Sequence, residues 1–324
     1  MTRSNSFTVA LAAALLAGCA VPTSLPQGMT TLPGVGTHRR LSRGASVAKQ
    51  DLLYVANSNG EVTIYRYWLH SVVGVLTTLT QPMGECVDAK SNVYITDYAA
   101  KKIVEFAHGA TKSTKSFDDS PDSPYMCSVD RASGNLAVAN YNPGSTQGDI
   151  AIWSNGTGSP KRYSDPLVYT FQDCAYDGGG DLLVSNGIPA YKKSVYFAWL
   201  PKNGSKLIDI KVPGPNPSWV WRAVEGIQWD GKYFVIDDYS LYRLSLIHGQ
   251  AYYVGMTSLE HPGYPLAIYD NKPGSQGTQV VGGYSGDSYS WVYYWQYPYG
   301  GPPIYQLEHG IDRPLGITVS LRTQ

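Results

Sequence analysis

One unit recurs along this chain and limits its folding more than any other feature. It is a short apolar strand ending in a polar residue, a tight turn, and a second apolar strand ending in Asp or Asn. The clearest copy runs through Pro82-Met83-Gly84-Glu85-Cys86-Val87-Asp88, Asn92-Val93-Tyr94-Ile95-Thr96-Asp97 and Lys102-Ile103-Val104-Glu105-Phe106. Apolar residues that alternate, or run for about five positions between turn residues, read as β-strands. The first strands end at 88, 130, 177, 230, 270 and 320, so the unit returns every 40 to 53 residues. A period of that length with several short strands per unit is what a propeller blade requires. Second strands are read at 52–57, 93–97, 136–140, 182–186, 233–237 and 279–283. Third strands are read at 62–67, 103–107, 150–153, 195–200, 241–247 and 289–297, and outer strands at 207–212, 251–256 and 303–307.

The two ends of the repeat complement each other. The first copy opens directly at a second strand, 52–57, and the last first strand, 315–320, has nothing after it to pair with. Placing the C-terminal strand in the N-terminal blade closes the ring and removes the unpaired edges of an open sheet. The expectation is an all-β, six-bladed β-propeller of four-stranded antiparallel blades over residues 50–324, with seven blades as the rival. Composition agrees, with 43% hydrophobic and only 15% charged residues, 34 Gly and 26 Tyr, a turn-rich β mixture able to fill a core. Formal net charge is zero and no basic cluster extends beyond His38-Arg39-Arg40. No nucleic-acid partner is expected on electrostatic grounds.

The N-terminus reads differently. Arg3 precedes an apolar stretch at 7–16 that is too short to span a bilayer and ends in Leu16-Ala17-Gly18-Cys19. That ending resembles the bacterial lipobox. The resemblance implies that 1–18 is a lipoprotein signal peptide and that Cys19 becomes the lipidated first residue. It further implies a bacterial cell-envelope location, with a lipid tether to a membrane and the propeller facing the periplasm or the exterior. The alternative is an ordinary secretory signal with a chance Cys. Residues 20–49, rich in Pro, Gly, Ser and Thr, read as a flexible tether.

The motif Pro-x-Gly-x-x-Val-Asp, a turn, Val-Tyr-Ile-Thr-Asp and Lys-Ile-Val-Glu-Phe within 82–106 resembles the NHL repeat. Glu85 stands where that repeat usually has an aliphatic residue, and the other copies are degenerate. The likeness extends to six-bladed propellers of the SMP-30/gluconolactonase type. In those enzymes a Glu, Asn and Asp set holds a divalent cation in the channel, so calcium is the cofactor that the resemblance implies.

Antiparallel topology puts the entry to strand one and the end of strand two on one face, around the channel. Strand two ends on Asn57, Asp97, Asn140, Asn186 and Asp237, and the entry side adds Glu85, Asp173, Arg222, Glu225, Asp312 and Arg313. The candidate binding set is Asn57, Glu85, Asp97, Asn140, Asp173, Asn186, Arg222 and Asp237. Glu85, Asp97, Asp173 and Asp237 are the metal candidates, since calcium takes six to eight oxygen ligands. The competing reading is structural, because Asn and Asp cap turns through local hydrogen bonds. Asp177-Gly178-Gly179-Gly180-Asp181 is read as a turn for the same reason.

The six His residues show no zinc spacing, and no serine sits in a nucleophile elbow. Cys86, Cys127 and Cys174 are expected to pack as small apolar fillers; the alternative is a Cys127–Cys174 disulfide that leaves Cys86 free. In the aromatic run at 284–299, alternation puts Tyr289, Trp291, Tyr293, Trp295 and Tyr297 on one face and Tyr294 on the other. The functional expectation is a module that binds a small molecule, a glycan or a protein. The alternative is a calcium-dependent lactonase or lyase acting on the channel face.

Overall fold

A computed structural model describes residues 47–142, 147–165, 168, 170–186, 195–221, 224, 226–269, 279–285 and 289–322. Cys19, most of the tether, Arg222 and Glu225 lie outside these residues. Within them the chain forms 24 strands in six four-stranded antiparallel sheets. The first sheet holds β1 (Leu52–Asn57), β2 (Val62–Arg66) and β3 (Val72–Leu76); the second holds β4 (Pro82–Val87), β5 (Val93–Asp97), β6 (Lys102–Phe106) and β7 (Ser113–Asp118). The third is β8 (Pro124–Val129), β9 (Leu136–Asn140), β10 (Ile150–Trp153) and β11 (Lys161–Tyr163). The fourth is β12 (Asp173–Tyr176), β13 (Leu182–Ser185), β14 (Phe197–Leu200) and β15 (Ile208–Asp209). The fifth is β16 (Gly226–Trp229), β17 (Phe234–Asp237), β18 (Leu241–Ile247) and β19 (Gln250–Thr257). The sixth is β20 (Leu266–Tyr269), β21 (Gln279–Ser285), β22 (Ser290–Gln296) and β23 (Tyr305–Leu307).

The last strand, β24 (Pro314–Ser320), returns to the N-terminal sheet and pairs antiparallel with β1, giving the order β24-β1-β2-β3. Neighbouring inner strands then follow the cycle β24, β4, β8, β12, β16, β20 and back to β24. This is a six-bladed propeller closed by its C-terminal strand, as the repeat spacing predicts. His108, in the hairpin after β6, reinforces the closure. Its ring contacts the Ser320 hydroxyl at 2.7 Å and the Gln50 carbonyl at 2.9 Å, tying the last strand to the segment before the first.

The core is divided into six apolar clusters, one at each junction between neighbouring blades. Strand parity decides which junction a side chain serves. Along β1, Leu52, Tyr54 and Ala56 pack toward the second blade, and Leu53 and Val55 toward the sixth. Along β9, Leu136 and Val138 face the second blade, and Ala137 and Ala139 the fourth. Because both faces of a second strand are buried, its sequence reads as a continuous apolar run rather than an alternation. The same parity splits the aromatic run: Tyr293, Trp295 and Tyr297 pack against the fifth blade and Tyr294 against the first.

Close approach of inner strands explains two glycines. A Cβ on Gly316 of β24 would lie 1.9 Å from the Met83 carbonyl oxygen of β4, and one on Gly84 would lie 2.5 Å from the Tyr125 oxygen of β8. Both obstacles are backbone, which cannot rotate aside. The outer strands β3, β7 and β11 were not among the strands read from the sequence. They sit at blade edges and are largely solvent-facing, as the polar sequence Ser-Thr-Lys-Ser-Phe-Asp of β7 shows. Without a buried face they carry no clear periodicity.

Candidate functional site

The ends of the second strands are buried, and they are engaged with nearby chain segments. Asp97 accepts from the backbone N–H groups of Thr80 (3.0 Å) and Gln81 (2.9 Å), which lead into β4. Asn57 does the same one blade earlier: its Oδ1 accepts from the Asp312 N–H at 2.9 Å, and its Nδ2 donates to the Gly310 carbonyl at 3.2 Å, just before β24. Asn140 donates to Asp149 Oδ1 at 2.7 Å, and Asn186 accepts from the Tyr196 N–H at 2.6 Å, so these two clip the approach to the third strand. Asp237 is buried to 2% exposure at the equivalent place. The side chains of Asn57, Asp97, Asn140 and Asn186 each hold a connecting segment, which is what the turn-capping alternative describes.

Asp173, on β12, bridges two blades. Its Oδ1 accepts from the Cys174 N–H and its Oδ2 from the Ile227 N–H of β16, both at 2.7 Å. Burial pushes its carboxyl up to about 7, against the lowering effect of the Ile227 and Cys174 amides. No group of three or more His, Cys, Asp or Glu side chains is placed to hold a metal ion among the described residues. With the oxygens of Asp97 and Asp173 committed to backbone N–H groups, Glu85, Asp97, Asp173 and Asp237 do not fit a shared calcium site, and no step is derived through one.

The cysteines require a correction. Cys86 of β4 and Cys127 of β8 form a disulfide with Cα atoms 5.7 Å apart, and Cys174 is free and buried. The expected filler role holds for Cys174 alone, and the alternative Cys127–Cys174 pair is not formed. Parity is the reason. Cys86 lies two residues before its strand-terminal Asp88, whereas Cys127 and Cys174 lie three before Asp130 and Asp177. Cys86 therefore points forward to the third blade while Cys127 points back to the second. Cys174 points back to the third blade, where it meets Ala137 and Ala139.

A polar cluster invisible in the motif reading joins the second and third blades. Arg162 of β11 contacts Asp122 at 2.6 Å, Asp119 at 2.7 Å and Asp149 at 3.1 Å. Asn142 donates to Asp122 at 2.7 Å and Asn140 to Asp149. Burial pushes the Asp119 carboxyl up to about 7, with Arg162 opposing the rise. The cluster ties an outer strand to the loops beside it.

The channel itself opens at the other end of the first strands. A cavity of about 690 Å³ lies there, walled by the C-terminal halves of all six inner strands. Its rim carries Asp130, Asp177 and Asp230, each of which caps its own hairpin: Asp130 accepts from the Ala132 N–H, Asp177 from Gly179 and Asp181, and Asp230 from Lys232 and Tyr233. The Asp177 contacts make 177–181 a turn, as read. Half-buried Trp229 lines the cavity with Tyr176 and Tyr269, whose rings are buried in the junctions with the third and first blades.

Glu85 lines this cavity at the innermost level reached on β4, beside Thr318 of β24. The sequence reading placed it with the entry-side residues; the structure instead has it lining the cavity with the opposite mouth. It is 7% exposed, and neither carboxyl oxygen has a hydrogen-bond partner among the described residues. Burial pushes its carboxyl well above the usual range, and the Thr318 backbone N–H offsets this in part without closing a bond of ordinary geometry. Of the seven binding candidates among the described residues, Glu85 alone lines this cavity. Thr318, Tyr176, Trp229 and Tyr269 were missed. Their signal was available as their place within two residues of a first-strand terminus, at one mouth of the channel.

No family model matches the chain, and no curated protein matches it. Solved structures do. A structure from a nidogen/laminin complex is 12% identical, covers 85% of this chain and 100% of its own, and superposes with a TM-score of 0.62. A protein of unknown function from Bacteroides caccae is 11% identical over 85% and 100% of the two chains, with a TM-score of 0.58. The β-propeller domain of Myceliophteria thermophila Cps50 (Swd1) is 12% identical over 84% and 86%, with a TM-score of 0.56. At these identities the likeness shows the propeller fold.

Proposed function

We propose that this protein is a ligand-binding propeller of the bacterial cell envelope, tethered by a lipid on Cys19, whose ligand sits in the cavity at the first-strand mouth of the channel. The observation that carries the reading is the cavity itself. About 690 Å³ falls within the range of small-molecule sites. Its lining mixes Trp229 with polar groups, and its innermost level includes a buried carboxyl with no hydrogen-bond partner among the described residues. The Cys86–Cys127 disulfide supports an exported location, because such bonds persist in oxidising compartments. No helix among the described residues is long and apolar enough to cross a membrane, so membrane attachment in this reading rests on the segment ending at Cys19. The calcium-dependent lactonase or lyase alternative gains no support from the committed oxygens of Asp97 and Asp173.

Two measurements test this. Metabolic labelling with a tagged palmitate should mark the wild-type chain and not Cys19→Ala; labelling of neither overturns the anchor. For the site, Ala132→Trp, an exposed rim position, narrows the mouth without touching the core. Small molecules bound by the wild type should be lost in this variant, and unchanged binding overturns the channel as the site.

A further inference from the structure

Glu85 occupies a place where the fold asks for an apolar residue. The corresponding inner-strand positions on other blades hold Cys127, Cys174, Ile227 and Ile317, all buried. A carboxyl at such a position without a hydrogen-bond partner is costly, because burying an ionised group is repaid only by a close opposite charge and good hydrogen bonds. Asp173 shows how this fold satisfies an inner-strand carboxyl when it is structural: two backbone N–H groups at 2.7 Å, one on each of two blades. Glu85 has no such arrangement among the described residues, and it belongs to the lining of the cavity.

The surroundings specify what would complete it. Among the described residues the cavity's charged lining is Glu85, Asp130, Asp177 and Asp230 against the single cation Arg131. A concave site lined mainly by one sign of charge concentrates ligands of the opposite sign. Trp229, half-buried, lines the same cavity, and aromatic faces attract cations as well as apolar bodies. Resting on the channel as the ligand site, we infer that the cavity takes a small organic amine in its protonated form. Its ammonium is held by the Glu85 carboxylate, and its carbon body lies against Trp229.

Binding then moves a proton. Burial favours the neutral carboxyl, so pairing with an ammonium ionises Glu85 and releases its proton to solvent. The test uses benzylamine and its neutral isostere benzyl alcohol, titrated by calorimetry in two buffers of different ionisation heat. Wild type should bind benzylamine at least tenfold more tightly than benzyl alcohol, with a buffer-dependent heat that reports proton release. Glu85→Gln, which keeps the side-chain shape, should lose tenfold or more in benzylamine affinity, lose the proton release, and leave benzyl alcohol binding unchanged. Equal affinity for amine and alcohol, or an undiminished Glu85→Gln, overturns the inference. If both probes bind equally and Ala132→Trp blocks both, the channel remains the site and only the cation assignment falls. If neither probe binds at millimolar concentration, the amine inference falls. A panel of neutral sugars read against Ala132→Trp then decides the channel reading separately.

Discussion

Glu85 on β4 and Asp173 on β12 are both carboxyls on inner strands, both buried and both pushed toward the neutral form by that burial. They differ in what surrounds their oxygens. Asp173 sits at a junction where the Cys174 and Ile227 amides converge on it, so it works as a clamp between the fourth and fifth blades. Glu85 lines a cavity, and no donor among the described residues bonds it. In a propeller every inner strand offers the same backbone frame, so the contrast comes from where each residue sits on its strand. Asp173 is the first residue of its strand and close to the adjacent one, whereas Glu85 follows a register shift between Pro82 and Glu85. Burial alone therefore does not separate a structural carboxyl from a ligand-seeking one; its hydrogen-bond partners do.

The largest expected effect concerns the wall that carries Glu85. The Cys86–Cys127 bond closes a loop of sequence separation 41 and joins the second and third blades. In the chain-entropy account such a cross-link contributes about 4 kcal/mol, so Cys86→Ser with Cys127→Ser should lower unfolding free energy by that order in denaturant melts. A loss below about 1 kcal/mol would show that the blade junction is held by packing alone. Next comes the clamp. Asp173→Ala leaves the Cys174 and Ile227 amides buried without an acceptor, an expected loss of about 2–4 kcal/mol. Asp173→Asn, which retains one acceptor oxygen, should recover part of it. If Asp173→Ala melts like wild type, the contrast with Glu85 collapses.

How far these features were legible in the sequence differs by region. Six blades and their closure were readable because second strands are buried on both faces, and runs such as Leu52 to Asn57 have no other use in a turn-rich chain. Glu85 was readable as a charge in an apolar column. Its mouth was not, because which end of the channel widens depends on how the inner strands stagger at the axis, and strand periodicity is silent about that. The disulfide was readable in principle. Comparing residues at equivalent positions pointed to Cys127 and Cys174, yet two residues of equal parity on successive blades both point backward, and only the one-residue offset of Cys86 turns it toward Cys127. The edge strands β3, β7 and β11 were unreadable because pairing with one neighbour imposes little on side chains left in solvent.

Opposite signs are expected from the two carboxyls on titration variants. A group whose folded pKa lies above its unfolded value favours the folded state most at low pH, and that advantage is lost as pH rises through the folded pKa. For Asp173, with an ordinary value of 3.8 and a folded value of about 7, the loss runs from about pH 4 to 7. Glu85, raised in the same direction, adds to this decline, with Tyr54 on β1 and Thr318 on β24 as the groups facing it. Glu85→Gln removes its share. Its melting temperature should therefore exceed wild type by a few degrees at pH 8 and match it at pH 4, whereas Asp173→Ala should be less stable than wild type at both. A Glu85→Gln variant less stable than wild type at pH 8 would mean that Glu85 is a clamp after all.

The smallest effect expected belongs to Arg131, the exposed cation on the cavity rim. It makes no ion pair among the described residues, so Arg131→Ala should leave stability within about 0.5 kcal/mol. Its charge nonetheless opposes Glu85, Asp130, Asp177 and Asp230 in the field felt by an entering cation. An exposed charge at this range is worth a few tenths of a kcal/mol, roughly a twofold gain in benzylamine affinity at low salt that fades as ionic strength rises. A gain for benzyl alcohol of equal size would show that Arg131 obstructs the mouth by bulk. A gain confined to the amine and abolished by salt ties the rim to the charge on Glu85.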